Sequence, residues 1–193
     1  MRVSYLKKIF RMGPLLYSLC HKSAIGLALY VVSACAFPPL LRDSALPLQQ
    51  ANARLVAQFE APVGKPYALI LNFDFPSAAS VRQDEVVGSN YSASCQSEYA
   101  AIPDAHRASL GRPIPIHVRI REKETGTVAL DRVVNTLCMT SSGPNGAGYR
   151  KTRTAARIAL AAGNYLAEIT NMEAQKGLDG VRTSVALVSG DVK

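Results

Sequence analysis

The stretch Ile114-Pro115-Ile116-His117-Val118-Arg119-Ile120-Arg121 alternates without a break, with aliphatic side chains at the even positions and proline, histidine or arginine at the odd ones. A period of two puts successive side chains on opposite faces of an extended chain. The stretch therefore predicts a strand with one face in a core and the other in water. Pro115 lacks an N–H to give to a ladder and hints at a strand edge. The same period recurs in both directions. Upstream, Tyr67, Leu69, Leu71, Phe73 and Phe75 share one face against Asn72 and Asp74, and Leu55, Ala57 and Phe59 alternate with Arg54, Gln58 and Glu60. Downstream, strands are expected at 127–138, 152–160, 164–171 and 181–188. Glu124-Thr125-Gly126, the run Ser141–Gly148 and Gly177-Leu178-Asp179-Gly180 supply the turns between them.

One short helix is expected over 103–111, opened by Pro103 and stopped by Gly111. Seven or eight turn-separated strands with at most one short helix predict an all-β fold. The expected architecture is an antiparallel two-sheet Greek-key sandwich, immunoglobulin-like or jelly-roll-like. Leu160-Ala161-Ala162-Gly163-Asn164-Tyr165 resembles the tyrosine corner of such sandwiches, with Ala162 where proline is usual. That resemblance implies that Gly163 permits a tight crossover and that the Tyr165 hydroxyl bonds backbone just upstream. The motif is a structural staple without chemistry.

The chain has 193 residues and a formal net charge of +8. That charge invites a nucleic-acid reading until its distribution is seen. Residues 1–34 hold Arg2, Lys7, Lys8, Arg11 and Lys22 and no acid, leaving 17 basic against 14 acidic groups in the rest. So small an excess makes no phosphate-binding surface, and no nucleic-acid partner is expected. A basic region ending at Lys22, followed by the apolar run 24–34, reads as a secretory signal; Met12 could serve as the start as well as Met1. Eleven residues are too few to span ~30 Å of hydrocarbon as a helix.

The run ends in Val32-Ser33-Ala34-Cys35, which resembles the lipobox of bacterial lipoproteins. The resemblance implies diacylation of Cys35, cleavage before it and acylation of the new amino terminus. A bilayer is then the first partner, through acylated Cys35. Ala36, where a retention signal would have Asp, implies transfer to the outer membrane, facing the periplasm. An ordinary cleaved signal and an uncleaved anchor stay open as alternatives. The expected organisation is a signal at 1–34, the lipidated cysteine and a proline-containing tether at 35–51, and the sandwich at 52–193. With Cys20 lost and Cys35 acylated, Cys95 and Cys138 remain in an oxidising compartment and read as one disulfide. Two unpaired core cysteines are the alternative.

The search for chemistry returns little. His117 sits on the polar face of a strand, and His106 and Asp104 lie two apart on the expected helix, where side chains do not face each other. No nucleophile elbow or zinc pattern occurs, and Gly143–Gly148 has a P-loop gap but Tyr149 where lysine is required. No catalytic residue, metal or cofactor is expected. What remains is surface. Counting by twos from 151 puts Lys151, Arg153 and Arg157 on one strand face, and Arg119 and Arg121 project from another strand. If those strands are neighbours, they form one cationic face for an acidic partner.

Residues 56–188, through Tyr67–Phe73, Ile114–Ile120 and Gly163–Asn171, resemble an uncharacterised proteobacterial family of small lipoprotein β-sandwiches. The expectation is a non-enzymatic envelope lipoprotein whose sandwich binds another protein by its loops (85–95, 139–150, 172–180) or a sheet face. Immunity against a periplasmic toxin is one specific form. The alternative is a small-ligand or glycan-binding module with a concave cluster of Tyr91, Tyr99 and Tyr149.

Overall fold

The computed structural model describes residues 39–89, 99–107 and 109–190. The leader, Cys35, Tyr91 and Cys95 lie outside the described residues. Nine strands are present among them: β1 (Leu41–Ala45), β2 (Arg54–Ala61), β3 (Lys65–Phe75), β4 (Ile114–Glu122), β5 (Val128–Thr136), β6 (Ser141–Asn145), β7 (Gly148–Leu160), β8 (Gly163–Asn171) and β9 (Arg182–Ser189). They form a five-stranded sheet, β1-β9-β3-β7-β6, and a four-stranded sheet, β2-β8-β4-β5. Every pairing is antiparallel. The chain is thus the expected two-sheet sandwich, with two short helices, α1 (Ala78–Arg82) and α2 (Asp104–Arg107), instead of one.

The alternation explains the core directly. Ile114, Ile116, Val118 and Ile120 of β4 are fully buried, and they meet Leu69, Leu71, Phe73, Val185 and Leu187 of the facing sheet in one cluster. At ~25 cal/mol per Å² of apolar surface removed from water, this interleaving is the main favourable term. Tyr165 donates its hydroxyl to Ala161 O at 3.2 Å and stacks on Phe59 with ring centres 5.5 Å apart. Tyr67 makes the same four-residue reach in the other sheet, to Val63 O at 2.9 Å.

The structure adds two strands to those expected from the sequence. The tether does not extend to residue 51, because Leu41, Leu46 and Leu48 are buried and residues 41–45 pair with β9 as β1. A register shift between Leu41 and Ser44, with Asp43 at φ 29, breaks the period that would have revealed that strand. The second extra strand is β6, drawn from the glycine-rich run expected as a loop and closed onto β7 through Gly146 at φ 59. Helix α1 follows Pro76 because Ser77 and Ser80 form a reciprocal capping box.

Registers such as Phe75 with Tyr149 and Asp74 with Arg182 gather the connections 46–53 and 172–181, and the described parts 76–89 and 109–113 of the crossover, at one end, the loop end. The opposite end carries the short turns 62–64, 123–127 and 161–162. β1 runs towards the loop end, so the chain enters the sandwich from the opposite side.

Candidate functional site

The loop end is organised by two cations of β7. Lys151 and Arg153, expected on a solvated face, are instead buried at 3% and 0% exposure. The cause is a bulge. Leu69 pairs with Ala156 and Ile70 with Thr154, so Ala155 is an extra residue and the parity of β7 changes there. Ile158 and Leu160 face the core as expected, and so do Lys151 and Arg153 on the other side of the bulge.

Every donor of both cations is used. Arg153 gives Nη1 to Arg112 O at 2.8 Å and Thr136 O at 2.9 Å, Nη2 to Val86 O at 2.5 Å and Val87 O at 2.9 Å, and Nε to Val87 O at 3.3 Å. Burial pushes this guanidinium down to about 10, with Asp84 opposing. Lys151 Nζ meets Asp84 Oδ2 at 2.6 Å, Gly88 O at 2.8 Å and Val81 O at 3.4 Å. The other Asp84 oxygen accepts the Val86 and Val87 amides, both at 2.9 Å. The two side chains thereby fasten residues 81–88 and 112 of the crossover to the sandwich. Gly111 completes the fastening: at φ 77 it lies in left-handed backbone, and a Cβ there would fall 2.3 Å from Val86 O. Groups saturated in this way are latches, with no donor left for a ligand.

The other three cations of the expected patch are not joined to these. Arg119 and Arg121 belong to β4, in the opposite sheet from β7, so the strands are not neighbours. Arg119 Nε lies 3.4 Å from Asp131, which also holds His117 at 2.8 Å, while Glu168 beside them pairs with Arg54 at 2.9 Å. That face carries mixed charge. Arg157 stays on the outer face of its own sheet and donates to Gly190 O at 2.9 Å.

Sequence reasoning missed a cluster on the outer face of the five-stranded sheet. Arg150 forms a two-pronged pair with Asp74, at 2.7 and 2.8 Å, and reaches Asp43 at 3.0 Å. Asn145 and Asn72 add bonds of 2.7 Å to Asp74 and Asp43 respectively. The Arg150 guanidinium holds the Asp74 carboxyl below the usual range, and Asp74 in turn raises Arg150. The signal was the polar face Asn72/Asp74 of β3, but its partner lies 76 residues away.

Beside the latch lies a cleft of about 490 Å³, lined by Tyr99, Arg112, Pro113, Pro115, Asn135 and the segment 173–176. Arg112 crosses it to Lys176 O at 2.7 Å, while its carbonyl is held by Arg153. Tyr99 is stacked under Arg107, 5.2 Å from its ring centre, and Arg107 Nη2 bonds Ala100 O at 2.8 Å. Below them Ile102, Leu110 and Cys138 form a small buried cluster, so the cleft wall is fixed. Tyr149 lines a separate cleft of about 320 Å³ with Asp74, Asn145 and Arg182. The described tyrosines of the expected platform, Tyr99 and Tyr149, therefore do not share a concave surface. Among the described residues no three His, Cys, Asp or Glu side chains are grouped to hold a metal. What the cleft presents is two prolines and an aromatic ring, with Arg112 and Lys176 against the single acid Glu173.

A family model described as a domain of unknown function, DUF5625, matches residues 43–189. No curated protein matches the chain. Among solved structures, the crystal structure of a protein from Sulfurospirillum deleyianum is similar, at 20% identity and a TM-score of 0.60, over 81% of this chain and 99% of that one. The likeness is one of fold.

Proposed function

We propose, for a chain that belongs to the DUF5625 family of domains of unknown function, that it is a non-enzymatic binding module anchored to a bilayer through acylated Cys35. Its loop-end cleft takes a segment of a protein partner. The observation that carries this reading is polarity of the fold: β1 enters from the end opposite the cleft, so an anchor preceding it would leave the cleft directed away from the membrane. Only residues 36–38 separate Cys35 from the described chain. Arg112 and Lys176 suit an acidic residue on the partner, and Tyr99 with Pro113 and Pro115 suits an apolar one.

A photo-reactive side chain at position 99 of the intact protein in its native envelope tests this. The expected result is a discrete cross-linked protein, lost with Arg112→Glu and absent when the probe replaces Lys123 at the other end. Equal cross-linking from both ends, or none from either, would remove the reading.

A further inference from the structure

Four strands form the edges of the two sheets, and three are blunted. β1 is five residues long and irregular at Asp43, and β6 is five residues long and contains Pro144. β5 has a register shift at Ala129 and turns Arg132 to the same side as buried Val118. Short edges, proline, bulges and inward charges are the devices by which sheets avoid pairing with other chains. β2 carries none of them. It holds an unbroken register with β8 from Arg54 to Ala61, and its inward residues Leu55, Ala57, Phe59 and Ala61 are all apolar.

The direction of its free backbone groups follows from two bonds flanking the ladder. Asn171 N donates to Ala53 O at 2.9 Å, and Lys123 N donates to Asn164 O at 2.8 Å. Odd positions of β8 therefore bond β2 and even positions bond β4. By register, Leu55, Ala57, Phe59 and Ala61 bond β8, while Arg54, Val56, Gln58 and Glu60 turn their N–H and C=O groups to the open side.

We propose that this edge pairs with the same edge of a second copy. A two-fold axis through Ala57 sets Arg54 opposite Glu60 and Val56 opposite Gln58, in both directions. Among the described residues nothing bonds the backbone groups at these positions, so each pair exchanges two hydrogen bonds. Both charged pairs are of opposite sign, and all four side chains lie on the outer face. On the inner face Leu55 meets Phe59 of the second copy and Ala57 meets Ala57, which covers the half-buried Leu55 and Ala57. Any other register that keeps the faces aligned loses one or both charge pairs. The contact is isologous and closed, and it joins the two four-stranded sheets into one.

The test uses the full-length chain in detergent. The parent is expected to sediment as a dimer. Ala57→Cys is expected to form an intermolecular disulfide, since opposed residues in a non-hydrogen-bonded pair lie about 4.5 Å apart at Cα. Arg54→Cys is not, because copies of residue 54 would be roughly 20 Å apart. Arg54→Glu is expected to weaken association about ten- to a hundred-fold, and adding Glu60→Arg to restore it to within about three-fold. Val56→Pro removes an outward N–H that no bond among the described residues uses, and is expected to give a monomer with the parent's melting temperature. A parent that is monomeric at about 100 µM, a charge swap that does not restore association, or equal cross-linking at 54 and 57 would each overturn the proposal.

Discussion

Arg153→Met is the most informative perturbation of this sandwich. The guanidinium serves four carbonyls, but two of them keep another donor when it is removed. Val86 O also accepts Arg112 N at 2.9 Å, and Thr136 O lies opposite Ile114 in the β4–β5 ladder. Val87 O and Arg112 O depend on Arg153 alone among the described residues. Two orphaned buried acceptors cost about 1–3 kcal/mol each, and relief of guanidinium desolvation offsets part of that. A net loss of about 3 kcal/mol is expected, or roughly 6–12 °C in melting temperature for a domain of this size. Arg153→Lys should fall between, because an ammonium has three donors and no planar fork. Arg157→Met, which removes one surface bond, is the control. Thermal unfolding followed by circular dichroism reads all three. If Arg153→Met melts within about 2 °C of the parent, the guanidinium is not a latch.

Asp74 has its pKa lowered below the ordinary 3.8, chiefly by Arg150, so the stability it contributes is present above that value and is lost as pH falls through the folded one. Asp74→Asn should therefore cost about 1–2 kcal/mol at pH 7 and show a shallower acid loss; parallel acid curves for parent and variant would contradict it. We propose that Cys138 pairs with Cys95 in the oxidised protein. Cys95→Ala should then lower stability by up to about 4 kcal/mol, whereas a reactive thiol at Cys138 in the unreduced parent would end the idea. Cys35→Ala should release the protein from the membrane fraction and strip the fatty chains from its intact mass; retention in the membrane would favour an uncleaved anchor.

Much of the fold was legible because period two is a strong signal wherever one sheet face is dry. β4 and the inner face of β3 declare themselves, and the inner residues named from their alternation are the core, although Asn72 on the polar face of β3 is buried as well. β1 did not, because Leu41, Leu46 and Leu48 keep no common period across the irregularity at Asp43 and the proline at 47. The site was far less legible. The β7 cations were misplaced by one bulge, and no local feature of Lys151–Leu160 says that Ala155 is the unpaired residue. The Asp74–Arg150 pair and the contact of Arg153 with Arg112 O each join residues tens of positions apart, which a single sequence cannot register.

The bulge also explains why two cations are buried at all. Between α1 and β4 the described chain has only α2 and a single 3-10 turn, so much of its backbone has no ladder to satisfy it. The carbonyls of residues 81, 86, 87 and 88 find donors on Lys151 and Arg153 in place of a neighbouring strand. An apolar β7 would bury more hydrocarbon here but would leave the Val87 and Gly88 carbonyls without a donor among the described residues, while Val81 O and Val86 O would keep the Asp84 and Arg112 amides. Arg112 belongs to that crossover: its carbonyl is gripped by Arg153 and its side chain flanks the cleft. Arg153 thus positions Arg112, whose side chain lines the cleft. It follows that Arg153→Lys, even where the protein remains folded, should weaken capture at position 99 more than Arg157→Met does.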